Sequence, residues 1–232
     1  MKRPFILTTL VLPTCLLAAA CQPSVNAAEA PAMLAAPKFN DAKAAGSLQT
    51  AVFAGGCFWG VQGVFEHVNG VEKVFAGYDG GDREHAHYEM VGTGETGHAE
   101  SVQIRYDPAQ ISYGELLQVF FSVAHNPTQL NRQGPDSGTQ YRSAIFYGNA
   151  RQKEIATAYV AQLEAAHVYS RPIATQINPD KGFYEAERYH QDYLVDNPHD
   201  FYIVYNDLPK VENLKRLFPS IYRERPVTVY GH

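Results

Sequence analysis

The stretch AVFAGGCFWG, residues 51–60, decides how the fold begins. Residues 51–53 are typical of a buried strand, and the following glycine pair lets the backbone turn sharply. Apolar side chains then recur at helical spacing over residues 61–68. The stretch therefore predicts a strand, a tight turn and a helix, with Cys57 at the N-terminus of that helix.

Strand and helix patterns alternate along the rest of the chain. We predict strands with alternating or continuous apolar residues over 71–78, 102–106, 141–147 and 173–177. We predict helices over 113–124, opened by a Ser112–Glu115 capping box, and over 149–168 and 184–196. This alternation indicates an α+β two-layer sandwich, with helices packed on a mixed sheet around a ferredoxin-like core. Polar loops over 84–97 and 125–138 are candidate functional loops.

The composition is that of one ordinary globular domain with 232 residues. The formal net charge of −5, without a basic cluster, argues against nucleic acid as the main partner. Fifteen tyrosines provide side chains that line a pocket and still offer a hydroxyl group.

Residues 1–20 have the layout of a secretory signal, because Lys2 and Arg3 precede an apolar run that ends in small residues. The alternative is a membrane anchor. However, Pro13 interrupts the run, which is at the short limit for a bilayer core of about 30 Å. We therefore expect an exported protein, either periplasmic or attached to the membrane as a lipoprotein.

Two cleavage sites compete at the end of the signal. Cleavage before Cys21 would leave this cysteine lipidated, and cleavage after Ala27 would remove it. Alanine, proline and serine dominate the following residues, so we predict a flexible linker over 21–48 and a single folded domain over 49–232.

Cys57 is the remaining thiol once Cys15 and Cys21 are removed or lipidated, so no internal disulfide is expected. A single free cysteine is often a small buried apolar residue. At a helix N-terminus, however, the free N–H groups favour the thiolate, and we expect a lowered pKa for Cys57. Phe58 and Trp59 follow directly and suggest an apolar wall that grips a methyl group.

Four motifs occur in this order: GCFWG at 56–60, GYDGG at 77–81, GHAE at 97–100 and GTQYRSAIF at 138–146. Together they closely resemble the A-type peptide methionine sulfoxide reductases, over residues 50–197. The resemblance implies reduction of the S epimer of methionine sulfoxide, free or in proteins. Each sulfoxide epimer has its own enzyme.

The resemblance also implies the roles of particular residues. Cys57 would attack the sulfoxide, while Glu100, Tyr88 and Tyr141 would act on its oxygen, which needs a proton donor because it is a very weak base. Glu100 must then be neutral, and we expect a dry pocket to raise its pKa. Phe58 and Trp59 would enclose the substrate methyl. Asp136 would support the site through hydrogen bonds, and His190 is expected to be structural.

Many members of this family carry a resolving cysteine in a segment resembling NPNGYC, and Tyr202 stands at that position here. We therefore predict a one-cysteine cycle in which an external thiol reduces the Cys57 sulfenic acid. The reductant would be a thioredoxin-like protein, a glutaredoxin or a glutathione-type thiol, with dithiothreitol as a substitute in vitro. We expect no cofactor, no metal, a monomer, and oxidised proteins or peptides as substrates.

Two other classes of function compete with this interpretation. A cysteine hydrolase would pair Cys57 with one of several histidines, although His67, ten residues along the helix, points away from its first turn. A metal-binding module would use His85, His87 and His98, which lie close together in sequence.

Overall fold

The computed structural model describes residues 31–231. Its strands are β1 (Gln49–Gly55), β2 (Val71–Asp79), β3 (Ala99–Tyr106), β4 (Arg132–Gln133), β5 (Asp136–Ser137), β6 (Ser143–Tyr147), β7 (Gln176–Pro179) and β8 (Tyr184–Glu185). Its α-helices are α1 (Phe58–Glu66), α2 (Tyr88–Val91), α3 (Tyr113–Val119), α4 (Ala150–Ala165), α5 (Tyr193–Asp196) and α6 (Leu208–Leu217).

The main sheet of these described residues has six strands in the order β7-β6-β1-β3-β2-β8. The β6–β7 pair is parallel, and the other pairs in this sheet are antiparallel. The predicted α+β class, with helices packed on a mixed sheet, is confirmed. β1 lies between β3 and β6, so the residues that follow β1 emerge near the middle of the sheet.

Side-chain caps fix the start of two helices but not of α1. Ser112 Oγ accepts a hydrogen bond from the Glu115 N–H, and the Glu115 carboxylate accepts one from the Ser112 N–H, as the predicted capping box requires. Asn149 caps α4 by accepting from the Gln152 N–H. The residue before α1, Cys57, makes no side-chain cap. The first N–H groups of α1 are therefore open to other partners.

An aromatic cluster holds β1 against the helices. Phe53 is fully buried, and its ring stacks on Phe120 at a centroid distance of 4.9 Å. The rings of Phe65 and Tyr113 lie 5.8 and 5.9 Å from Phe53. Aromatic pairs in this distance range stabilise the fold beyond simple burial of area. The cluster connects β1 to α1 and α3 and thereby fixes where β1 ends.

Three predicted elements differ from the structure. The strand predicted over 173–177 lies at Gln176–Pro179. Tyr141 belongs to a 3-10 turn, Thr139–Tyr141, and not to the following strand. The helix predicted over 184–196 is replaced by β8, a 3-10 turn at Arg188–His190 and the short α5.

Side-chain hydrogen bonds explain why residues 184–196 are not a regular helix. The Gln191 side-chain amide accepts a hydrogen bond from the Ala76 N–H on β2 and donates one to the Ala76 carbonyl. It also accepts a hydrogen bond from the Gln62 amide of α1. Asp192 adopts a left-handed conformation, with φ at 55°. These bonds to the sheet replace the local bonds of a helix.

The signal predicted over residues 1–20 lies outside the described residues. The described part of the predicted flexible linker, by contrast, is bound to the domain. Leu34 is buried, its N–H donates to Ser122 Oγ, and its carbonyl accepts from the Gln118 amide. The Tyr159 hydroxyl donates to the Ala35 carbonyl. The alanine-rich composition therefore does not prevent docking, because backbone groups of these residues bond to side chains of the domain.

Between residues 31 and 231, every helix is too short or too polar to cross a lipid bilayer.

We expect Phe53→Ala to lower the free energy of unfolding by about 3–5 kcal/mol, because it leaves a cavity between β1 and the helices. Phe201→Ala is the control, since Phe201 is 75% exposed; its effect should stay within about 0.5 kcal/mol. Urea denaturation followed by circular dichroism measures both. Equal losses in the two variants would contradict the central role of the Phe53 cluster.

Candidate active site

Cys57 lies at the junction of β1 and α1, where a glycine permits a close approach. Gly56 has φ at +91°, and a β-carbon at this position would lie 2.5 Å from Gln133 Cγ. A side chain is therefore excluded here by both conformation and space. Cys57 follows, with 8% of its surface exposed. The turn predicted from the glycine pair is thus what positions the sulfur.

Glu100 reaches the same helix start from β3. Its Oε2 accepts a hydrogen bond of 3.0 Å from the N–H of Phe58, the residue after Cys57. Only 3% of Glu100 is exposed. Burial raises the pKa of Glu100 to about 8; the Phe58 hydrogen bond opposes this shift, and the charges of Asp136 and Asp207 add to it. The carboxyl group is therefore largely neutral at pH 7, as the sequence predicted.

Tyr88 and Tyr141 face this carboxyl group from two different loops. Tyr88 opens α2, where its N–H donates to Glu187 Oε1 over 3.0 Å, and Tyr141 ends the 3-10 turn before β6. Burial raises the pKa of both hydroxyls, and the charge of Glu100 raises them further. An electrostatic interaction with Cys57 also raises the pKa of both hydroxyls, by a smaller amount. The two hydroxyls thus remain protonated donors within electrostatic reach of Glu100 and Cys57.

Sequence reasoning missed Glu187, which supports this arrangement. Its carboxylate accepts hydrogen bonds from the Tyr88 N–H and from the Tyr78 hydroxyl. It lies in the segment that was predicted to be helical, so no pattern in the sequence connected it with Tyr88.

Trp59, which the sequence predicts as part of an aromatic wall, packs among other aromatic rings. Its ring stacks on Tyr193 at 3.9 Å, and Tyr202 meets it edge-on at 5.9 Å. The indole N–H donates to Nδ1 of His190 over 3.2 Å. Phe58 is buried, with its ring 5.1 Å from His190. His190 therefore has a structural role between the two aromatic residues, although it lies in a 3-10 turn and not in a helix.

Asp136, on β5, is held by a residue of the C-terminal tail. Its Oδ2 accepts a hydrogen bond from the Tyr202 hydroxyl. Asp136 also acts electrostatically on Glu100 and Tyr141. Its proposed supporting role thus has a physical basis, and Tyr202 is a partner that the sequence did not identify.

The expected lowering of the Cys57 pKa is wrong for the resting protein. Burial raises the pKa of the thiol, and the charges of Glu100 and Asp207 raise it further. The backbone N–H of Trp59 and the Lys210 ammonium lower it in part. The helix terminus acts in the expected direction, but desolvation outweighs it. Cys57 is therefore a thiol at rest.

The histidines of the two competing interpretations have local partners. His67 lies at the far end of α1, where Nδ1 contacts the Gly63 carbonyl at 2.7 Å. His98 contacts the Asp82 carbonyl, and His85 contacts the Asp82 carboxylate. Within residues 31–231, no group of three or more His, Cys, Asp or Glu side chains is arranged to hold a metal ion.

The site thus combines a sulfur, a neutral carboxyl group and two phenolic hydroxyls beside an aromatic wall. A buried acid of this kind can donate a proton to a weakly basic oxygen while the sulfur attacks the atom that carries it.

We expect Glu100→Gln to stabilise the protein increasingly as the pH rises. Because the folded-state pKa lies near 8, above that of the unfolded chain, native Glu100 contributes stability at low pH that is lost as the pH rises. The variant should gain about 1.4 kcal/mol per pH unit relative to the native protein between about pH 5 and 8. Urea unfolding across this range measures it. A constant difference would mean that Glu100 titrates normally.

Comparison with known proteins identifies the family. The chain matches the family model of peptide methionine sulfoxide reductase over residues 49–220. It is 65% identical to peptide methionine sulfoxide reductase MsrA 2 of Mesorhizobium japonicum, covering 82% of this chain and 97% of that protein. It is 52% identical to MsrA 2 of Synechocystis sp., covering 73% of this chain and 79% of that protein.

Two solved structures share the fold. Mxr1 from Saccharomyces cerevisiae in reduced form has a TM-score of 0.59 and 34% identity, covering 67% of this chain and 88% of that chain. Methionine sulfoxide reductase A of Corynebacterium diphtheriae has a TM-score of 0.57 and 35% identity, covering 68% of this chain and 79% of that chain. With three quarters of its length matched by the family model and a relative at 65% identity, the chain is an oxidoreductase that belongs to the peptide methionine sulfoxide reductase family.

Proposed function

We propose that this enzyme reduces the S epimer of methionine sulfoxide, free or in proteins, by direct attack of Cys57. The observation that carries the proposal is the buried Glu100 carboxyl, which is bonded to the Phe58 N–H and whose pKa burial raises to about 8. An acid held in this form at neutral pH supplies the proton that the sulfoxide oxygen needs.

The proposed reaction conserves atoms and electrons. The Cys57 sulfur attacks the substrate sulfur, and the sulfoxide oxygen takes the proton of Glu100. The oxygen then passes to Cys57, methionine leaves, and Cys57 becomes a sulfenic acid. The proton that Cys57 loses restores Glu100. Two electrons move from Cys57 to the substrate sulfur.

Tyr88 and Tyr141 support the proton donor in this scheme. Both hydroxyls are held protonated beside Glu100, so they donate hydrogen bonds to the oxygen as it gains negative charge. Trp59 with its stacked partner Tyr193 presents the apolar face against which the substrate methyl packs.

We infer that an external thiol completes the cycle. A thiol attacks the sulfenic acid, water leaves, and a second thiol releases Cys57 from the mixed disulfide. Tyr202, at the position where the family segment carries a resolving cysteine, has no thiol, and its hydroxyl donates to Asp136. The reductant class is a dithiol protein or a small thiol, and no prosthetic group takes part.

The setting we propose is outside the cytoplasm, where the enzyme would repair exported proteins. Support comes from the signal-like residues 1–20, with Cys21 as a candidate lipid anchor. We also propose that the enzyme acts as a monomer.

A peptide carrying the S epimer should be reduced by the native enzyme with dithiothreitol, and the R epimer should not. Cys57→Ser should reduce neither, because the hydroxyl is a far weaker nucleophile than a thiol. Chromatography of the peptide measures methionine formation. Turnover by Cys57→Ser, or hydrolysis of a peptide ester by the native enzyme, would contradict the proposal.

One turnover without reductant should leave Cys57 with one added oxygen atom, trapped by dimedone as an adduct. Mass mapping of peptides separates Cys57 from Cys15 and Cys21. In a parallel sample without dimedone, added dithiothreitol should return Cys57 to the thiol, which serves as the control. An internal disulfide in place of the adduct would refute the one-cysteine cycle.

A further inference from the structure

We propose that Asp207 and Lys210 are positioning residues that control the charge of the attacking Cys57 sulfur: the ammonium group favours the thiolate and the carboxylate opposes it. This inference rests on the proposed function, in which the same sulfur attacks the sulfoxide.

The two residues lie against the first turn of α1. Gly60 is three residues after Cys57 and therefore on the same face of the helix, one turn away. A β-carbon at Gly60 would lie 2.6 Å from Asp207 Cγ and 2.7 Å from Lys210 Nζ. Only glycine leaves room for this contact. The absence of a side chain at position 60 thus brings both charges to the face that carries Cys57.

The pair is buried where charges act strongly. Lys210 Nζ lies 2.9 Å from Asp207 Oδ1; the Asp207 side chain is fully buried, and 18% of that of Lys210 is exposed. Among the described residues, Asp207 Oδ2 has no hydrogen-bond partner. A buried ion pair with an unsatisfied oxygen is a poor way to stabilise a fold, because desolvation offsets the attraction. Because the pair lies beside Cys57, we attribute to it an effect on the charge of the sulfur.

The groups that face Cys57 come from several elements. Glu100 approaches from β3, and burial raises its pKa to about 8, so it is mostly protonated at pH 7. Burial also raises the pKa of Asp207, but the charge of Lys210 opposes that shift and favours the carboxylate. Lys210 is the cation of this set. The remaining neighbours that interact with Cys57 are neutral phenols: Tyr88, Tyr141, Tyr193 and Tyr202.

The pair itself has charged neighbours. Asp136 faces both Lys210 and Asp207, and Asp200 faces Asp207. His125 lies near Lys210 and stays neutral, because burial lowers its pKa to about 3. Lys210 is thus surrounded by carboxylates and stays charged. Asp207 holds the ammonium close to the sulfur, while its own charge adds to the effect of burial in raising the pKa of the Cys57 thiol.

The test measures alkylation of Cys57 by iodoacetamide against pH, followed by peptide mass mapping of the full chain. Asp207→Asn should move the profile to lower pH, with alkylation on the order of ten-fold faster below the native midpoint. Asp207→Asn combined with Lys210→Met should lose this gain. A gain that the second substitution reverses cannot come from loss of structure alone, because unfolding would expose Cys57 further and speed its alkylation.

Lys215→Met is the matched control, because Lys215 lies on the same helix and pairs with the exposed Glu224. Its profile should equal that of the native enzyme. If Asp207→Asn does not fold, Asp207→Ser removes the same charge with a smaller side chain. Identical profiles for the native enzyme and both charge variants would overturn the inference.

Sulfoxide reduction is assayed separately on the same samples. Alkylation requires no sulfoxide, so shifted alkylation profiles in an enzyme that reduces no sulfoxide would refute the proposed function and leave the electrostatic inference intact. Unshifted profiles in an enzyme that reduces the sulfoxide would refute the electrostatic inference and leave the proposed function intact.

Discussion

The hydrogen bond from the Phe58 N–H to Glu100 joins the two halves of this site. It brings a carboxyl group of β3 to the start of α1, next to the sulfur, and it uses an N–H that no cap occupies. Phe58 is the first residue of α1, so its N–H is one of the groups that a helix leaves without an internal partner. Glu100 satisfies that group from a neighbouring strand, and this single bond fixes the distance between the carboxyl group and the helix start.

Much of the framework around Cys57 could be predicted because it rests on local rules. The glycine pair before Cys57 predicted the turn, and Ser112 with Glu115 predicted the start of α3. Family resemblance brought in Glu100, Tyr88 and Tyr141, which lie near one another and near Cys57 in the structure. Protonation of the sulfoxide oxygen requires a neutral acid, and burial keeps Glu100 in that form by raising its pKa.

The remainder depended on contacts between distant segments, which local patterns do not encode. Gln191 replaces helical hydrogen bonds with bonds to β2, so residues 184–196 lose the helix that their pattern indicated. The predicted lowering of the Cys57 pKa is wrong for a related reason. The helix terminus is visible in the sequence, whereas burial and the charge of Asp207, 150 residues downstream, are not. The tail is thus part of the site.

The docked residues that precede β1 have a mechanical consequence. Between Leu34 and the start of β1, the chain is fastened to the helix layer through Ser122, Gln118 and Tyr159. A pulling force on the chain ahead of residue 31 would load these bonds first. Force would reach the strand that leads to Cys57 only after these bonds had broken. Tension on the preceding chain would therefore leave the position of the sulfur unchanged.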